Sequence, residues 1–493
     1  MTNSAFGPSG KAMSPMETRY QSRLNRYVTA MRNGKPDMIP IRPFVAEFTG
    51  VYAGYTCQEL AHDYPKAFAA ARKCAADFDW DAVVSNMVYV WTGLTQAIGL
   101  RYYGIPGIDI PANMGFQYRE PPQRQAFMQP DEYDRLIDDP TAFLLEVWLP
   151  RVSTEVCKAG EPVTQRNNLS FLKGGMAMME YFGAFGSQNA RLREESGTVS
   201  AISGIFKAPL DILADKLRGY LGLVDDLFER RDKVVAACEA LMPHLLHVAK
   251  MTADPQRLVP VGYWMHRGGV PFVSPEIFKN IYWATVKPII EELWADGHQT
   301  LFYAEGKWDY HLESFAELPE QSIVYHVDQG DIFKAHQVFG DKFCLSGGVP
   351  NVLLARGTPD DVRQCCKKII DGVARDGGYI MDASAIVQND AKVENMRAMT
   401  DATREYGVYS SGSPLSLEPP VTPSPSCSAE HAADKHPALR PSPGKKRAGA
   451  CVPWEEKRGQ IPSLPGDETV VRNVWEHIDS LANTYLWQLL LSF

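Results

Sequence analysis

The sequence predicts a parallel α/β fold, and three of its features do so. Short apolar runs rich in β-branched and aromatic residues end abruptly on polar groups and glycine. Thr300-Leu-Phe-Tyr-Ala stops at Glu305-Gly306, Ser322-Ile-Val-Tyr-His-Val at Asp328-Gln329-Gly330, and Phe343-Cys-Leu at Ser346-Gly347-Gly348. Runs of this kind are strands buried on both faces. Helical segments alternate with them, which is the pattern of a parallel sheet. The chain of 493 residues is long enough for one (β/α)8 barrel with additions, or for two domains. In such folds the carboxyl ends of the strands hold the chemistry, which singles out Glu305, His326 and Asp328.

Residues 1–18 are polar, carry Gly, Ser and Pro, and read as disordered. Tyr20, Leu24, Tyr27, Val28 and Met31 recur at helical spacing and predict a helix over 19–32. A first strand spans 38–44, with Arg42 and Glu47 near its outgoing end; Pro40 and Pro43 make it irregular. A helix over 63–79 tolerates Pro65 in its first turn. The second strand, 82–90, carries Asn86 and runs out at Trp91. Residues 101–200 read as loops and short elements, with 111–115 and 173–180 covering the barrel mouth as lids.

Helices follow at 211–221 and 231–252, then a strand at 258–264 that ends on His266-Arg267. Ser274-Pro275 caps a helix to 296. After the three central strands come a helix over 358–375 and a last strand over 378–381 ending at Asp382. A helix over 394–406 then closes a domain spanning 19–409. Residues 410–465 are dominated by Ser, Pro, Ala and Lys and read as a linker. Residues 466–493 return to helical spacing. Val471, Val474, Ile478, Leu481, Tyr485 and Leu489 share one face near a seven-residue repeat, widened by Trp475, Leu486 and Leu490. So large an apolar stripe must dock on the barrel itself, on a second copy or on a partner.

A net charge of -9 argues against a nucleic-acid binder, which needs a basic excess at its phosphate-binding surface. No run of about 18 apolar residues spans a bilayer, and the N-terminus lacks the apolar core of a signal peptide. The nine cysteines include no Cys-x-x-Cys. The expectation is a cytoplasmic protein with reduced thiols.

Several segments together carry a family resemblance: Met31-Arg-Asn-Gly-Lys-Pro-Asp-Met-Ile-Pro40, Lys207-Ala-Pro-Leu-Asp211 with Leu217-Arg-Gly219, Gly340-Asp-Lys342, Gly347-Gly-Val-Pro350, Gly357-Thr-Pro-Asp-Asp-Val362 and Gly377-Gly-Tyr-Ile380. In this order, from about Arg26 to Gly407, the chain resembles the uroporphyrinogen decarboxylase superfamily, which includes corrinoid-linked methyltransferases. The resemblance implies a TIM barrel. It does not imply decarboxylation of a porphyrinogen. The Arg-rich segment that grips several carboxylates is reduced here to Arg42 alone, in Pro40-Ile-Arg-Pro-Phe-Val-Ala-Glu47.

The thiol-methylating members bind zinc through a His-x-Cys pair and a later Cys. Tyr303 and Glu305 occupy the first two places here, and no Cys lies near Ala385. The aryl-methyl-ether O-demethylases of the superfamily are more similar, with Glu, fourteen residues, Glu, twenty residues, His. Glu305 and Glu320 keep that spacing, and Asp341 stands in place of the His. Asp341 precedes its strand, which puts it at the opposite end of the barrel from Glu305.

The expected catalytic groups are therefore Glu305, His326, Asp328, His266 and Asp382, with Arg42, Glu47, Asn86, Trp91, Arg267 and Trp308 against substrate. The expected metal is a divalent ion, zinc by the resemblance. It is held by Glu305, His326 and Asp328, or by the family-spaced Glu305, Glu320 and Asp341. His326 reads equally as a satisfied core histidine, and Asp328 equally as a helix cap. The expected function is methyl transfer between a small organic substrate, such as an aryl methyl ether, and a corrinoid on a separate protein. A decarboxylase or lyase of the same superfamily and a non-catalytic assembly subunit are the alternatives.

Overall fold

The computed structural model describes residues 13–84, 90–158, 160–410, 436–439 and 447–492. Asn86 and much of the expected linker lie outside the described residues. The strands are β1 over 38–45, β2 Ala82–Val83, β3 over 199–207, β4 Val261–Met265, β5 Thr300–Ala304, β6 Ile323–Val327, β7 Cys344–Gly347 and β8 Tyr379–Ile380. From β3 to β8 they form one parallel sheet in sequence order. The sheet closes through the irregular first strand. Met381 N–H donates to the Pro40 carbonyl at 2.9 Å, and Arg42 N–H donates to the Met381 carbonyl at 3.0 Å. On the other side, Asp81 and Ala82 N–H donate to the Ile41 carbonyl, and β2 continues to β3 through Val199 N–H to the Asp81 carbonyl. Pro40 and Pro43 have no N–H to give, so β1 makes isolated bridges instead of a ladder. The ring of eight is a TIM barrel.

Trp264, Tyr303, His326 and Ser346 lie in one register line across β4 to β7. Their rings stack side by side, Trp264 on Tyr303 at 4.3 Å and Tyr303 on His326 at 4.7 Å. This aromatic layer fills the barrel under the mouth. Helix α1, Pro15–Met31, packs at the incoming ends of the strands, where Arg26 bridges Asp37 and Asp81.

The segment 173–180, expected to be a lid, lies instead inside helix α2, Gln165–Ser196. Its glycine pair misleads a local reading. A Cβ on Gly174 would come within 2.8 Å of the Tyr485 hydroxyl, so the glycine serves a close helix approach. The approaching element is the C-terminal helix α4, Glu468–Ser492. It touches α2, helix α3 (Arg231–Thr252) and the outgoing part of β3. Tyr485, Leu486, Trp487, Leu489, Leu490 and Leu491 are buried there, with Trp487 stacked on His244 at 4.7 Å. The earlier half of the stripe, Val471, Val474, Ile478 and Leu481, remains exposed.

Residues 447–465 are also not a free linker. They carry the short helix Trp454–Gly459, and the main-chain N–H groups of Cys451 and Val452 donate to Asp479. Among the described residues one helix, α3, has the length and hydropathy of a membrane span, and more than half of that window is buried inside the fold.

Candidate active site

The outgoing ends of β3, β4, β5 and β6 deliver Lys207, His266-Arg267, Glu305 and Asp328 to one side of the mouth. The chain after β3 supplies their counterparts. It turns at once into helix Pro209–Ile212, continued by a π-helical stretch, Leu213–Leu217. Asp211 and Asp215, four residues apart, therefore face β4 together. A π-bulge at a functional site is a recurrent arrangement.

Asp211 accepts the main-chain N–H groups of His266 (3.3 Å) and Arg267 (2.7 Å) and the Tyr282 hydroxyl (3.1 Å). Asp215 meets the side chains of the same two residues, His266 Nδ1 at 2.7 Å and Arg267 Nε at 2.9 Å, with Lys207 Nζ at 3.6 Å. His266 Nε2 lies 3.1 Å from Glu305 Oε2, to which Trp264 Nε1 also donates at 3.3 Å. The result is a line of charge, Asp215–His266–Glu305, ending at an open cavity.

The electrostatics follow from this line. Burial and Lys207 disfavour a charged His266, yet Asp215 and Glu305 outweigh them and raise its pKa to about 9. Burial also opposes the ionised forms of Asp215 and Glu305, but their cationic neighbours hold both below the ordinary range. Asp211 shifts upward, through burial first and then the Asp215 charge. Asp328 is raised to about 6 by burial and by Glu305, against the Gly306 N–H that donates to it. Lys216, buried against the rings of Tyr102 and Tyr103, is pushed well below the usual lysine range by burial and Lys207. At neutral pH the mouth thus holds an imidazolium between two carboxylates.

The cavity beside them measures about 900 Å³ and is walled by Tyr103, Phe116, Tyr118, Phe272 and Val352. It is sized for a small organic molecule. A second cavity of about 390 Å³ opens beside it, sharing Phe116, Glu305, Asn351 and Ala385.

The expected site residues divide accordingly. His266, Arg267, Glu305 and Asp328 line the main cavity, and Glu47 lines the smaller one. His326 does not join Glu305. It is fully buried in the barrel, with Nδ1 on Ser346 Oγ (3.0 Å) and Nε2 on the Ser384 carbonyl (2.8 Å); burial and Arg42 hold it neutral. Both ring nitrogens are occupied, so Glu305, His326 and Asp328 do not fit a metal. Glu320 and Asp341 are exposed in the loops ahead of β6 and β7, at the opposite end of the barrel from Glu305. Among the described residues no three His, Cys, Asp or Glu side chains converge as a ligand set.

Arg42 and Asp382 are fully buried and meet each other (3.3 Å) below the mouth. Arg42 Nη2 also donates to Ser346 Oγ, and Phe44 N–H donates to Asp382. Burial raises Asp382 to about 7. Trp308 is core, packed on Tyr282 and His311, and its Nε1 donates to the Glu305 carbonyl. Trp91 belongs to a separate aromatic cluster with Tyr64 and Tyr181. The residues missed in the sequence are Lys207, with the strand Ile205–Lys207 that delivers it, and Asp211, Asp215 and Lys216. The available signal was the i, i+4 pair of carboxylates directly after a strand that ends in Lys207.

A family model described as uroporphyrinogen decarboxylase (URO-D) matches residues 160–406. Among solved structures, a methyltransferase from Methanosarcina mazei is similar, with a TM-score of 0.52 and 14% sequence identity over 78% of this chain and 98% of that one. No curated protein sequence matches the chain.

Proposed function

Since the chain belongs to the uroporphyrinogen decarboxylase (URO-D) family, we propose that it catalyses methyl transfer from a small methyl ether, with His266 as the acid at the leaving oxygen. The observation that carries this reading is the buried Asp215–His266–Glu305 line opening on a cavity. Asp215 fixes the ring and its charge, and Nε2–H points to Glu305 at the cavity wall. An entering ether oxygen replaces Glu305 as acceptor. The C–O bond then breaks with its electron pair left on oxygen, and the His266 proton turns the leaving phenolate into a phenol. A phenol of the tyrosine type titrates at about 10, close to the value of about 9 for His266. At pH 7 His266 therefore carries its proton in place, and a positioned general acid is typically worth about 10²–10⁴ in rate. A corrinoid on a separate protein would supply the nucleophile that takes the methyl group. The kinship in fold with a methyltransferase supports the reading.

The decarboxylase alternative draws on the basic side chains Lys207, Lys216 and Arg267 at the same cavity. Two things weigh against a substrate with many carboxylates. Arg267 is committed to Asp215, and burial disfavours the charge on Lys216. The test is to incubate the full chain with a methoxylated aromatic compound and a reduced free corrinoid and to follow phenol release. His266→Asn should lower the rate about 10²-fold or more with folding intact. Release of CO₂ from a carboxylated analogue with no phenol formed would overturn the proposal.

A further inference from the structure

The smaller cavity differs from the main one in charge. The main cavity carries Lys207, Lys216, Arg267 and His266 against Asp215, Glu305 and Asp328. The smaller one is lined by Glu47, Glu305 and Asp390, and no described Lys, Arg or His lines it. Phe116 and Tyr303 supply aromatic surface to it.

Glu47 needs an explanation. It begins the helix Glu47–Ala53, is only 8% exposed, and lines this cavity. Among the described residues no other side chain hydrogen-bonds or ion-pairs with its carboxyl group; its one bond is to its own main-chain N–H. Burial raises its pKa, so holding a charge there carries a cost. The loop above is shaped around it, for a Cβ on Gly115 would lie 2.6 Å from Glu47 Oε1. An occupant that carries positive charge and N–H donors removes the cost. A carboxylate set beside an aromatic ring, here Phe116, is also the chemistry that holds ammonium groups.

We propose that the smaller cavity is a subsite for an ammonium group, bound by Glu47 with Asp390 beside the ring of Phe116. Resting on the methyl-transfer reading, this makes the methyl donor a methyl ether that also bears an amino group, its ammonium lying across Glu305 from the reacting end. The subsite itself is a binding property and is tested without any methyl acceptor.

The test uses isothermal calorimetry on the full chain at pH 7 with benzylamine and benzyl alcohol, which differ chiefly in the charged group. Benzylamine should bind the wild type at least tenfold more tightly. Glu47→Gln, which keeps the shape, should erase that preference while leaving benzyl alcohol within twofold. Gly115→Ala approaches the same carboxyl group from a different loop and should weaken benzylamine selectively, which keeps the test alive if the first variant misfolds. Equal binding of the two compounds, or an undiminished amine preference in a folded Glu47→Gln protein, would overturn the subsite. Neither outcome touches the role given to His266, which is judged by phenol release alone.

Discussion

Replacing Asp215 with Asn should return His266 to an ordinary or lower pKa, and the size of the effect can be worked from the contacts. The rise from 6.5 to about 9 corresponds to roughly 3 kcal/mol in favour of the imidazolium, at about 1.4 kcal/mol per pH unit. Asp215 and Glu305 are its sources. Without Asp215, burial and Lys207 still push downward, and Arg267 and Lys207 lose the carboxylate they share. The pKa should then fall to about 6.5 or below, so the ring goes from about 99% protonated at pH 7 to less than about a quarter. The sign also fixes a stability window. A histidine raised in the fold stabilises it fully below the unfolded value of about 6.5, and loses that contribution as pH rises through about 9. The wild type should therefore lose stability between those limits, and Asp215→Asn should flatten that stretch. Imidazole NMR titration, together with chemical unfolding from pH 6 to 10, measures both. A His266 pKa near 9 in the folded variant would refute the assignment of Asp215 as its main partner.

Glu305→Gln should lower the His266 pKa by less than Asp215→Asn, because the 2.7 Å contact with Asp215 survives; the same NMR titration ranks the two. The kcat/KM for phenol release by the wild type, which follows the free enzyme, should decline as pH rises through about 9, and a flat profile to pH 10 would contradict an acid role for His266. On the C-terminal helix, Leu489→Ala should cost about 2–5 kcal/mol in urea unfolding, whereas Val474→Ala should stay within about 0.5 kcal/mol, because the first is buried and the second is 58% exposed. Equal effects would mean that the two halves of the helix do not differ as described.

β4 to β7 were legible because buried parallel strands are nearly continuous apolar runs, and β5 and β6 stop where Glu305 and Asp328 begin, whereas β3, split into Val199–Ser200 and Ile205–Lys207, has no such run and was not foreseen. The position of Glu305, His266 and Arg267 at the mouth followed from the same rule. The misassigned residues are of another kind. Side chains alternate along a strand, but whether His326 reaches the mouth or packs in the layer beneath depends on the Tyr303 and Ser346 rows beside it, which local sequence does not show. Trp308 and Trp91 have the composition of pocket walls and the surroundings of core. Asp211 and Asp215 escaped notice because their meaning lies in β4, more than forty residues downstream. Gly174-Gly175 read as a loop because the surface that required the glycines belongs to Tyr485.

The distance along the chain between the C-terminal helix and its seat bears on how the molecule assembles. Trp487 donates to Thr141, 346 positions earlier, and stacks on His244. All eight strands are synthesised before residues 485–491 exist. Until then the apolar channel between α2 and α3, over the outer side of β3, has nothing to cover it. Contacts of such long range slow folding, and uncovered apolar surface on a nearly complete barrel is the kind that aggregates or recruits chaperones. Late closure of this channel is the step at which a newly made chain is most exposed, and the step that a lesion in the final turns of the helix would prolong.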